Sequence, residues 1–398
     1  MRTAEIRAVG RLAGEALAGG GALIGQVHTG IAERAFTHAP ASAPARLIHD
    51  GISRAVYAGL SGALRGLGVA AGELAARRSP DGWKSLDWEP RAAIGLAALA
   101  GLSGDRVARL SPELAPDMRV RVRGRPVELT PAGLAAAFPD AGPRLAVFVH
   151  GLCESEHAWR IGQAVYGERL QAELSYTPVY LRYNTGLHIS DNGRRLARLL
   201  ERLTAGWPVR VREIVLVGHS MGGLVARSAC HYTELEGSSC TEAIRHVFCL
   251  GTPHLGADLE KGANALAFAL AKLPETRALS ELLNGRSVGI KDLRYGSCVE
   301  EDWSDCDPDE FLRDRCREVP FLTSASYYFV GATLAPAPLG RAVGDLLVRL
   351  PSASGRGTGR GRRIPFEVDR GCELTGLNHF DLLGHPDVYA QLHRWLSR

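Results

Sequence analysis

The sequence predicts an α/β protein in which helices cover both faces of a mostly parallel β-sheet. After residue 118, short apolar runs recur as buried strands do, and stretches with helical spacing separate them. The first third is rich in Ala and Gly, and its apolar residues are spaced as in helices. We therefore expect a helical N-terminal extension over residues 1–114, followed by the sheet domain over residues 115–398.

The composition is that of a globular protein rather than a disordered one. Of 398 residues, 45% are hydrophobic and 23% are charged. Basic side chains number 47 and acidic ones 43, a formal net charge of +4 that is too even for a protein built around nucleic acid. The small positive excess lies in the N-terminal third. It could favour an anionic membrane surface, but we favour a chance imbalance as its explanation.

No membrane-spanning segment or secretory signal is predicted. The longest apolar run, Ala92–Leu102, is much shorter than the roughly 20 residues that a span needs. Residues 1–21 lack the unbroken apolar stretch of a secretory signal. We therefore expect a cytoplasmic or peripheral membrane protein.

Within the extension, apolar residues at helical spacing predict one face of a helix: Leu47, Ile48, Ile52, Val56, Tyr57, Leu60, Leu64 and Leu67. This face could pack on the main domain, or it could lie on a lipid surface. We favour packing on the main domain, because four Gly residues weaken the helix on its own. The tract APASAPA at residues 39–45 predicts a break between helical segments.

At Met118 the pattern changes to alternation, which predicts two short strands joined by a turn at Gly124 and Arg125. Apolar runs then predict buried strands at residues 145–149, 179–183, 214–218, 246–251 and 326–334. Between the second and third runs, Leu residues at helical spacing predict a helix, with Ser190 and Asp191 as candidate N-caps. The Gly- and Arg-rich tract at 354–363 predicts a mobile basic loop.

The strongest functional signal is the stretch Gly218-His219-Ser220-Met221-Gly222, a G-x-S-x-G pattern. An apolar strand precedes it and a helical pattern follows, and that context places Ser220 on a sharp strand-to-helix turn with its hydroxyl exposed. Gly218 and Gly222 are required there, since a Cβ at either position would clash with neighbouring backbone. We therefore expect Ser220 to be a catalytic nucleophile.

A serine nucleophile needs a histidine base that a carboxylate orients. On this kind of turn the chain order is Ser, then the acid, then His. His379 lies in a loop just before the closing helix and is the expected base. Asp345, which follows the last predicted strand, is the expected acid, and Asp369 is the alternative.

The negative charge that develops during acyl transfer needs backbone N–H donors. Met221, directly after the nucleophile, is expected to supply one of them. The loop after the strand at 145–149 reads His-Gly-Leu-Cys, so the amide of Leu152 is the other candidate, and Gly151 would let the backbone approach the substrate. Cys153 could be a second nucleophile, but we favour a buried thiol.

With these motifs, the chain resembles α/β-hydrolase serine lipases and esterases over roughly residues 118–398. It is most similar to bacterial lipases and to the GPI inositol-deacylase-like branch. The resemblance rests on the strand followed by His-Gly-Leu at 150–152, on GHSMGG, on GTPHLGA at 251–257 and on GLNHFDLL near the end. It implies an α/β-hydrolase fold, hydrolysis of carboxylic esters through an acyl-enzyme, and no organic cofactor. It also implies a Ser220, Asp345 and His379 triad with Leu152 and Met221 as oxyanion donors.

The resemblance leaves three functions open. The first is an esterase or lipase acting on acyl esters, the second an acyltransferase that uses the same acyl-enzyme, and the third a non-catalytic lipid-binding protein. The long segment 258–318, apolar in its first half and acidic in its second, is expected to form a cap or lid that favours an apolar acyl chain, unless it only covers the sheet. Contact with a lipid surface fits such a substrate; a nucleic-acid partner does not.

Two further sets of residues invite a prediction. Some bacterial lipases bind calcium through an Asp two residues after the catalytic His, where Asp381 stands. Since no second acidic ligand is evident and calcium wants six to eight oxygens, we expect Asp381 to be structural and predict no metal site. Cys298, Cys306 and Cys316 lie in a polar segment where a local disulfide could form, although we favour free thiols.

Overall fold

A computed structural model describes residues 1–37, 43–79, 85–274, 276–336, 340, 343–357 and 362–398. The predicted break at 39–45 and the predicted basic loop at 354–363 therefore lie partly outside the described residues, at 39–42 and 358–361.

The N-terminal region is helical, as the sequence predicts. Its helices are α1 (Thr3–Thr37), α2 (Ala43–Arg78) and α3 (Pro90–Leu110). α1 and α2 form an antiparallel hairpin in which the backbones of Gly10 and Gly14 lie against those of Gly68 and Gly72. A Cβ on Gly68 would lie 2.5 Å from the Cα of Gly14, so only glycine allows the two helices to approach this closely.

The predicted apolar face of α2 does not pack on the main domain, so the interpretation that we favoured from the sequence is wrong. Leu47, Ile52, Val56 and Leu67 are between 58% and 73% exposed. α2 meets α1 through its glycines and through Tyr57, and this leaves the large aliphatic side chains on its other side facing solvent. None of the described helices combines the length and the hydropathy of a bilayer-spanning helix.

A single sheet organises the rest of the described chain. Its strands are β1 (Arg119–Val122), β2 (Arg125–Pro126), β3 (Arg144–Val149), β4 (Thr177–Arg182), β5 (Glu213–His219), β6 (Ile244–Leu250), β7 (Ser326–Thr333) and β8 (Gly371–Thr375). Across the sheet the order is β2-β1-β4-β3-β5-β6-β7-β8. The β1 pairings with β2 and β4 are antiparallel, and every other pairing is parallel.

The five predicted buried strands are confirmed within two residues at each end. Two details are wrong. The turn between β1 and β2 is Arg123-Gly124, one residue earlier than predicted, because both residues adopt positive φ there. The helix predicted from its Leu spacing begins after His188, so Ser190 and Asp191 both lie inside it and neither is the N-cap; Ser190 instead accepts a hydrogen bond from Trp303 Nε1 at 2.9 Å. The short, partly exposed strand β8 was not predicted.

Helices cover both faces of the sheet, as predicted. They are α4 (Pro131–Ala137), α5 (Tyr166–Leu174), α6 (Ile189–Gly206), α7 (Met221–Leu235), α8 (Asp258–Leu270), α9 (Arg277–Asn284), α10 (Val288–Asp292), α11 (Leu350–Ala353) and α12 (Pro386–Leu396). Alternate residues of each strand point to opposite faces. Thus Val147 of β3 packs in the core beneath α6 and α7, whereas Phe148 packs in the core beneath α5 and α12.

An antiparallel edge, a parallel sheet covered on both faces and a sharp turn from β5 into α7 together make this an α/β-hydrolase fold. α3 packs tightly on the loops after β3 and β4: Asn184 Nδ2 donates to the carbonyl of Gly104 at 2.9 Å, and the Cα of Gly101 lies against Cys153. The domain boundary at residue 114 stays a prediction.

The segment between β6 and β7 carries α8, α9 and α10. Ser287 Oγ donates to the carbonyl of Gly101 at 2.5 Å, and Asp292 accepts a hydrogen bond from the first amide of α6, that of Ile189, at 2.8 Å. Ser228 of α7 donates to the carbonyl of Cys298 at 2.5 Å. The segment is thereby attached to α3, α6 and α7. Its role as a cap or lid stays a prediction.

Candidate active site

Ser220 occupies the turn between β5 and α7. Its backbone has φ 52° and ψ −123°, a conformation that is costly for a residue with a Cβ and that is found where function requires it. A Cβ on Gly218 would lie 2.5 Å from the amide nitrogen of Gly223, and one on Gly222 would lie 2.1 Å from the carbonyl oxygen of Val149. Both glycines are therefore required, and the turn holds Ser220 partly exposed at the carboxyl end of β5.

His379 and Asp345 are in direct contact. His379 Nδ1 lies 2.7 Å from Asp345 Oδ2, and the two side chains are 3% and 1% exposed. The other carboxylate oxygen of Asp345 accepts hydrogen bonds from the amides of Leu347 and Val348 at 3.0 and 2.8 Å. The amide of His379 donates to the carbonyl of Asp345 at 3.0 Å. The imidazole is thus held with Nδ1 toward the carboxylate, which leaves Nε2 as the nitrogen that can take a proton.

The end of β6 and the loop after it contact both Ser220 and His379, through the adjacent residues Leu250 and Gly251. The amide of Ser220 donates to the carbonyl of Leu250 at 2.8 Å, and a Cβ on Gly251 would lie 3.1 Å from His379 Cε1. Gly251 has φ +58°, so glycine suits this position for two reasons. Among the described residues, neither Ser220 Oγ nor His379 Nε2 makes a hydrogen bond. A catalytic hydrogen bond between a serine and a histidine often forms only when substrate is bound.

The loop after β3 lies against Ser220. A Cβ on Gly151 would lie 3.0 Å from Ser220 Cβ, so this backbone approaches Ser220 as closely as glycine permits. Leu152 follows on the same loop, and Met221 opens α7 and is fully buried. The two residues expected to supply oxyanion donors therefore flank Ser220 on two different elements.

A buried histidine that the sequence reasoning missed supports this loop. His150 Nδ1 lies 3.0 Å from the carbonyl of Gly151, and His150 Nε2 accepts the amide hydrogen of Tyr183 at 3.4 Å. The hydroxyl of Tyr183 donates to the carbonyl of His150 at 2.6 Å, and the two rings stack with centroids 4.4 Å apart. Burial lowers the pKa of His150, which keeps the ring neutral, as one donor and one acceptor require.

Glu154 and His219 form a second carboxylate–histidine pair beside the first, and sequence reasoning missed it as well. Glu154 Oε2 accepts the amide hydrogen of Gly151 at 2.7 Å, and Glu154 Oε1 lies 2.9 Å from His219 Nδ1. His219 Nε2 lies 3.1 Å from the carbonyl oxygen of His379. Carboxylate and carbonyl oxygens only accept hydrogen bonds, so both ring nitrogens of His219 must donate, and the ring is an imidazolium.

The pKa shifts agree with a buried ion pair. Burial disfavours the charge on Glu154, but the charge and hydrogen bond of His219 outweigh it and lower the pKa of this carboxyl. Burial likewise disfavours the charge on His219, but Glu154 outweighs it and raises the pKa of the imidazole. The pair therefore ties the loop that holds Gly151 to the backbone of His379.

Other residues that the sequence singled out lie elsewhere or have structural contacts. Asp369 bonds to Arg398 at 3.2 Å near the C-terminus, with a side chain 65% exposed. Asp381 accepts the amide hydrogen of Asn378 at 2.8 Å and so caps the short helical turn that carries His379. Burial raises the pKa of the Cys153 thiol, which makes it a poor nucleophile. Cys298, Cys306 and Cys316 are free thiols, so no local disulfide forms.

Comparisons with known proteins give a family match over part of the chain. The model of the PGAP1-like alpha/beta domain matches residues 144–309, which include Gly151 and Ser220 and end before Asp345. No curated protein matches the sequence.

Among solved structures, the mature form of a Bacillus licheniformis lipase is 19% identical, with 70% of this chain and 97% of that chain covered and a TM-score of 0.44. A Pyrococcus furiosus esterase is 14% identical, with 65% and 82% covered and a TM-score of 0.36. A lipase-esterase related protein from Clostridium acetobutylicum is 16% identical, with 64% and 94% covered and a TM-score of 0.32. The fold assignment made above rests on the strand order and on the turn at Ser220.

Proposed function

We propose that this chain is a serine carboxylic ester hydrolase, an esterase or lipase, with Ser220 as nucleophile, His379 as base and Asp345 as the residue that orients the base. The observation that carries the proposal is the buried Asp345–His379 pair, 2.7 Å between Oδ2 and Nδ1, beside a serine held at φ 52° on a strand-to-helix turn. Each of these features costs folding stability, and together they match the needs of acyl transfer.

In the proposed reaction, His379 Nε2 takes the proton of Ser220 Oγ as that oxygen attacks the ester carbonyl carbon. The carbonyl oxygen becomes an anion, which the amides of Leu152 and Met221 would stabilise. His379 then gives its proton to the departing alcohol oxygen, and an acyl-enzyme remains on Ser220. Water, deprotonated by His379, attacks the acyl carbon and releases the carboxylic acid and free Ser220.

The proposed substrate is an ester with an apolar acyl chain, such as a lipid. Support comes from the segment between β6 and β7, the predicted cap. Its helices α8 and α9 hold large apolar side chains that are 44–71% exposed: Leu259, Leu266, Phe268 and Leu282. Exposed apolar side chains on a segment attached near the active site suit contact with an acyl chain or a lipid surface.

The first test is hydrolysis of p-nitrophenyl esters from acetate to palmitate by the wild type, Ser220→Ala and Cys153→Ser. We expect Ser220→Ala to lose at least about 10⁴-fold in kcat, since removal of a serine nucleophile leaves only binding and the oxyanion donors. Cys153→Ser should retain activity. The acyl length that gives the highest kcat/KM separates an esterase from a lipase.

The nucleophile can also be tested without a known substrate. A fluorophosphonate should add to the wild type at Ser220, as read by mass spectrometry of peptides, and should leave Ser220→Ala unlabelled. Labelling without hydrolysis of any ester, together with transfer to an added alcohol, would favour an acyltransferase. Absence of both labelling and hydrolysis would contradict a serine hydrolase and favour a lipid-binding protein.

A further inference from the structure

The hairpin of α1 and α2 exposes large aliphatic side chains along much of its length. We call this set the hairpin stripe, and its members are 43–66% exposed: Val9, Leu17, Ile24 and Ile31 on α1, and Ile52, Val56, Leu60, Leu67 and Leu74 on α2. On α1 they recur in steps of seven and eight, and on α2 in steps of four and seven. Such spacing keeps a helical residue on one side.

The two halves of the stripe lie on the same face of the hairpin. On the opposite face, a cavity of about 460 Å³ separates the hairpin from α9, and its lining includes Gln26 and Thr29 of α1 and Arg54 and Ser61 of α2. At about 100° per residue, the stripe residues of each helix point away from those lining residues. The stripe is therefore one outward surface, two helices wide.

The charges of the hairpin have a positive balance. Arg77 and Arg78 follow the last stripe residue, Leu74, after two alanines, whereas Arg65 lies on the cavity side and pairs with Glu15 at 3.0 Å. Residues 1–78 contain nine Arg and five acidic residues, a net charge of +4 that equals the formal net charge of the whole chain. The positive balance of this protein is thus concentrated on the element that also exposes the apolar stripe.

We propose that the hairpin stripe docks on an anionic lipid bilayer, with α1 and α2 lying in the plane of its surface. Exposed aliphatic side chains would enter the boundary between headgroups and acyl chains, and Arg77 and Arg78, close to one end of the stripe, would meet the lipid phosphates. A second copy of the chain is a poorer occupant, because two hairpins of charge +4 repel each other. A spanning arrangement does not fit, since no described helix is suited to cross a bilayer.

The predicted cap lies on the other side of the hairpin, against the face opposite the stripe. Gln26 of α1 donates to Glu281 of α9 at 2.6 Å, so the hairpin contacts the segment that is the predicted cap. This proposal does not depend on ester hydrolysis, since it rests on the exposed surface of α1 and α2 alone.

The test is co-sedimentation of the full chain with vesicles of phosphatidylcholine, alone or mixed with phosphatidylglycerol. We expect binding to the mixed vesicles that weakens with added salt. The double variant Val56→Glu/Leu67→Glu should bind at least about tenfold more weakly, since each buried aliphatic side chain contributes about that factor. The matched control is Leu235→Glu/Val368→Glu, which changes two residues of similar or greater exposure, 68% and 88%, on the sheet domain. It should bind as the wild type does.

Hydrolysis of a short soluble ester should be unchanged in both double variants, so a failure to bind vesicles is separate from a failure of the proposed function. Equal loss of binding in the control variant, or no binding of the wild type to anionic vesicles, would overturn the proposal. So would a wild-type dimer that Val56→Glu/Leu67→Glu dissociates, because the occupant would then be a second copy. Circular dichroism monitors folding, and Val56→Gln/Leu67→Gln replaces the Glu variant if that variant loses helicity.

Discussion

Replacing Glu154 by Gln is the sharpest test of how the active site is held. The carboxylate joins the loop at Gly151 to His219, and His219 in turn donates to the carbonyl of His379. Gln keeps the size but removes the charge. The carbonyl oxygen of the Gln side chain can accept a hydrogen bond from His219 or from the Gly151 amide, but not from both. Its NH₂ group, which is a donor, then faces whichever of these two donors is left without an acceptor.

The loss of folding stability in Glu154→Gln depends on whether His219 keeps its proton. If its ring stays an imidazolium, an unpaired buried charge remains, which costs about 3–5 kcal/mol. If the ring loses its proton, one charge-assisted hydrogen bond is lost, at about 1.5–3 kcal/mol. The variant adopts the protonation state of His219 that costs less free energy, so we expect the free energy of unfolding to fall by about 1.5–3 kcal/mol. A displacement of the loop at Gly151 by about 1 Å would lower kcat about 10²-fold, with KM nearly unchanged.

The assays are urea unfolding and the steady-state kinetics of a short p-nitrophenyl ester. Glu156→Gln is the matched control, because Glu156 lies on the same loop with a side chain 7% exposed against 10% for Glu154, but it pairs with Arg182 and not with His219. We expect this control to lose stability and to keep most of its kcat. The reasoning is refuted if Glu154→Gln keeps the wild-type kcat, or if both variants lose kcat to the same extent.

Three further predictions concern the candidate active site and the helical hairpin. Asp345→Asn should lower kcat about 10⁴-fold on the same ester, because an amide no longer selects the imidazole tautomer; a loss below tenfold would contradict the assignment. Gly68→Val should open the helical hairpin and speed its limited proteolysis, while Gly59→Val, whose Cβ would meet open space, should not. The stabilisation that His219 draws from Glu154 should be full between about pH 4.5 and pH 6.5, and it should be lost as pH rises through the raised pKa of His219. The difference in unfolding free energy between the wild type and His219→Gln should therefore shrink on the alkaline side, and a difference that grows there would refute it.

Much of the sheet could be read from the sequence because buried parallel strands are local apolar runs. The runs at 145–149, 214–218 and 246–251 each became a central strand. The strand β8 escaped prediction because it lies at the sheet edge, where polar residues are tolerated and the apolar signal fades. The exposed face of α2 was misjudged because spacing shows that apolar residues share a side but not what covers that side.

The sequence by itself determined where the strands lie and which serine stands on the strand-to-helix turn, since both are signals within a few neighbouring residues. Chain order then singled out Asp345 and His379, whose contact is present in the structure while their catalytic roles stay predictions. Only the tertiary structure revealed the Glu154–His219 pair, because its partners are 65 residues apart in the chain and no motif joins them. The apolar face of the hairpin was likewise decided by packing: the glycines of α1 and α2 bring their backbones together, and that contact turns the large aliphatic side chains outward.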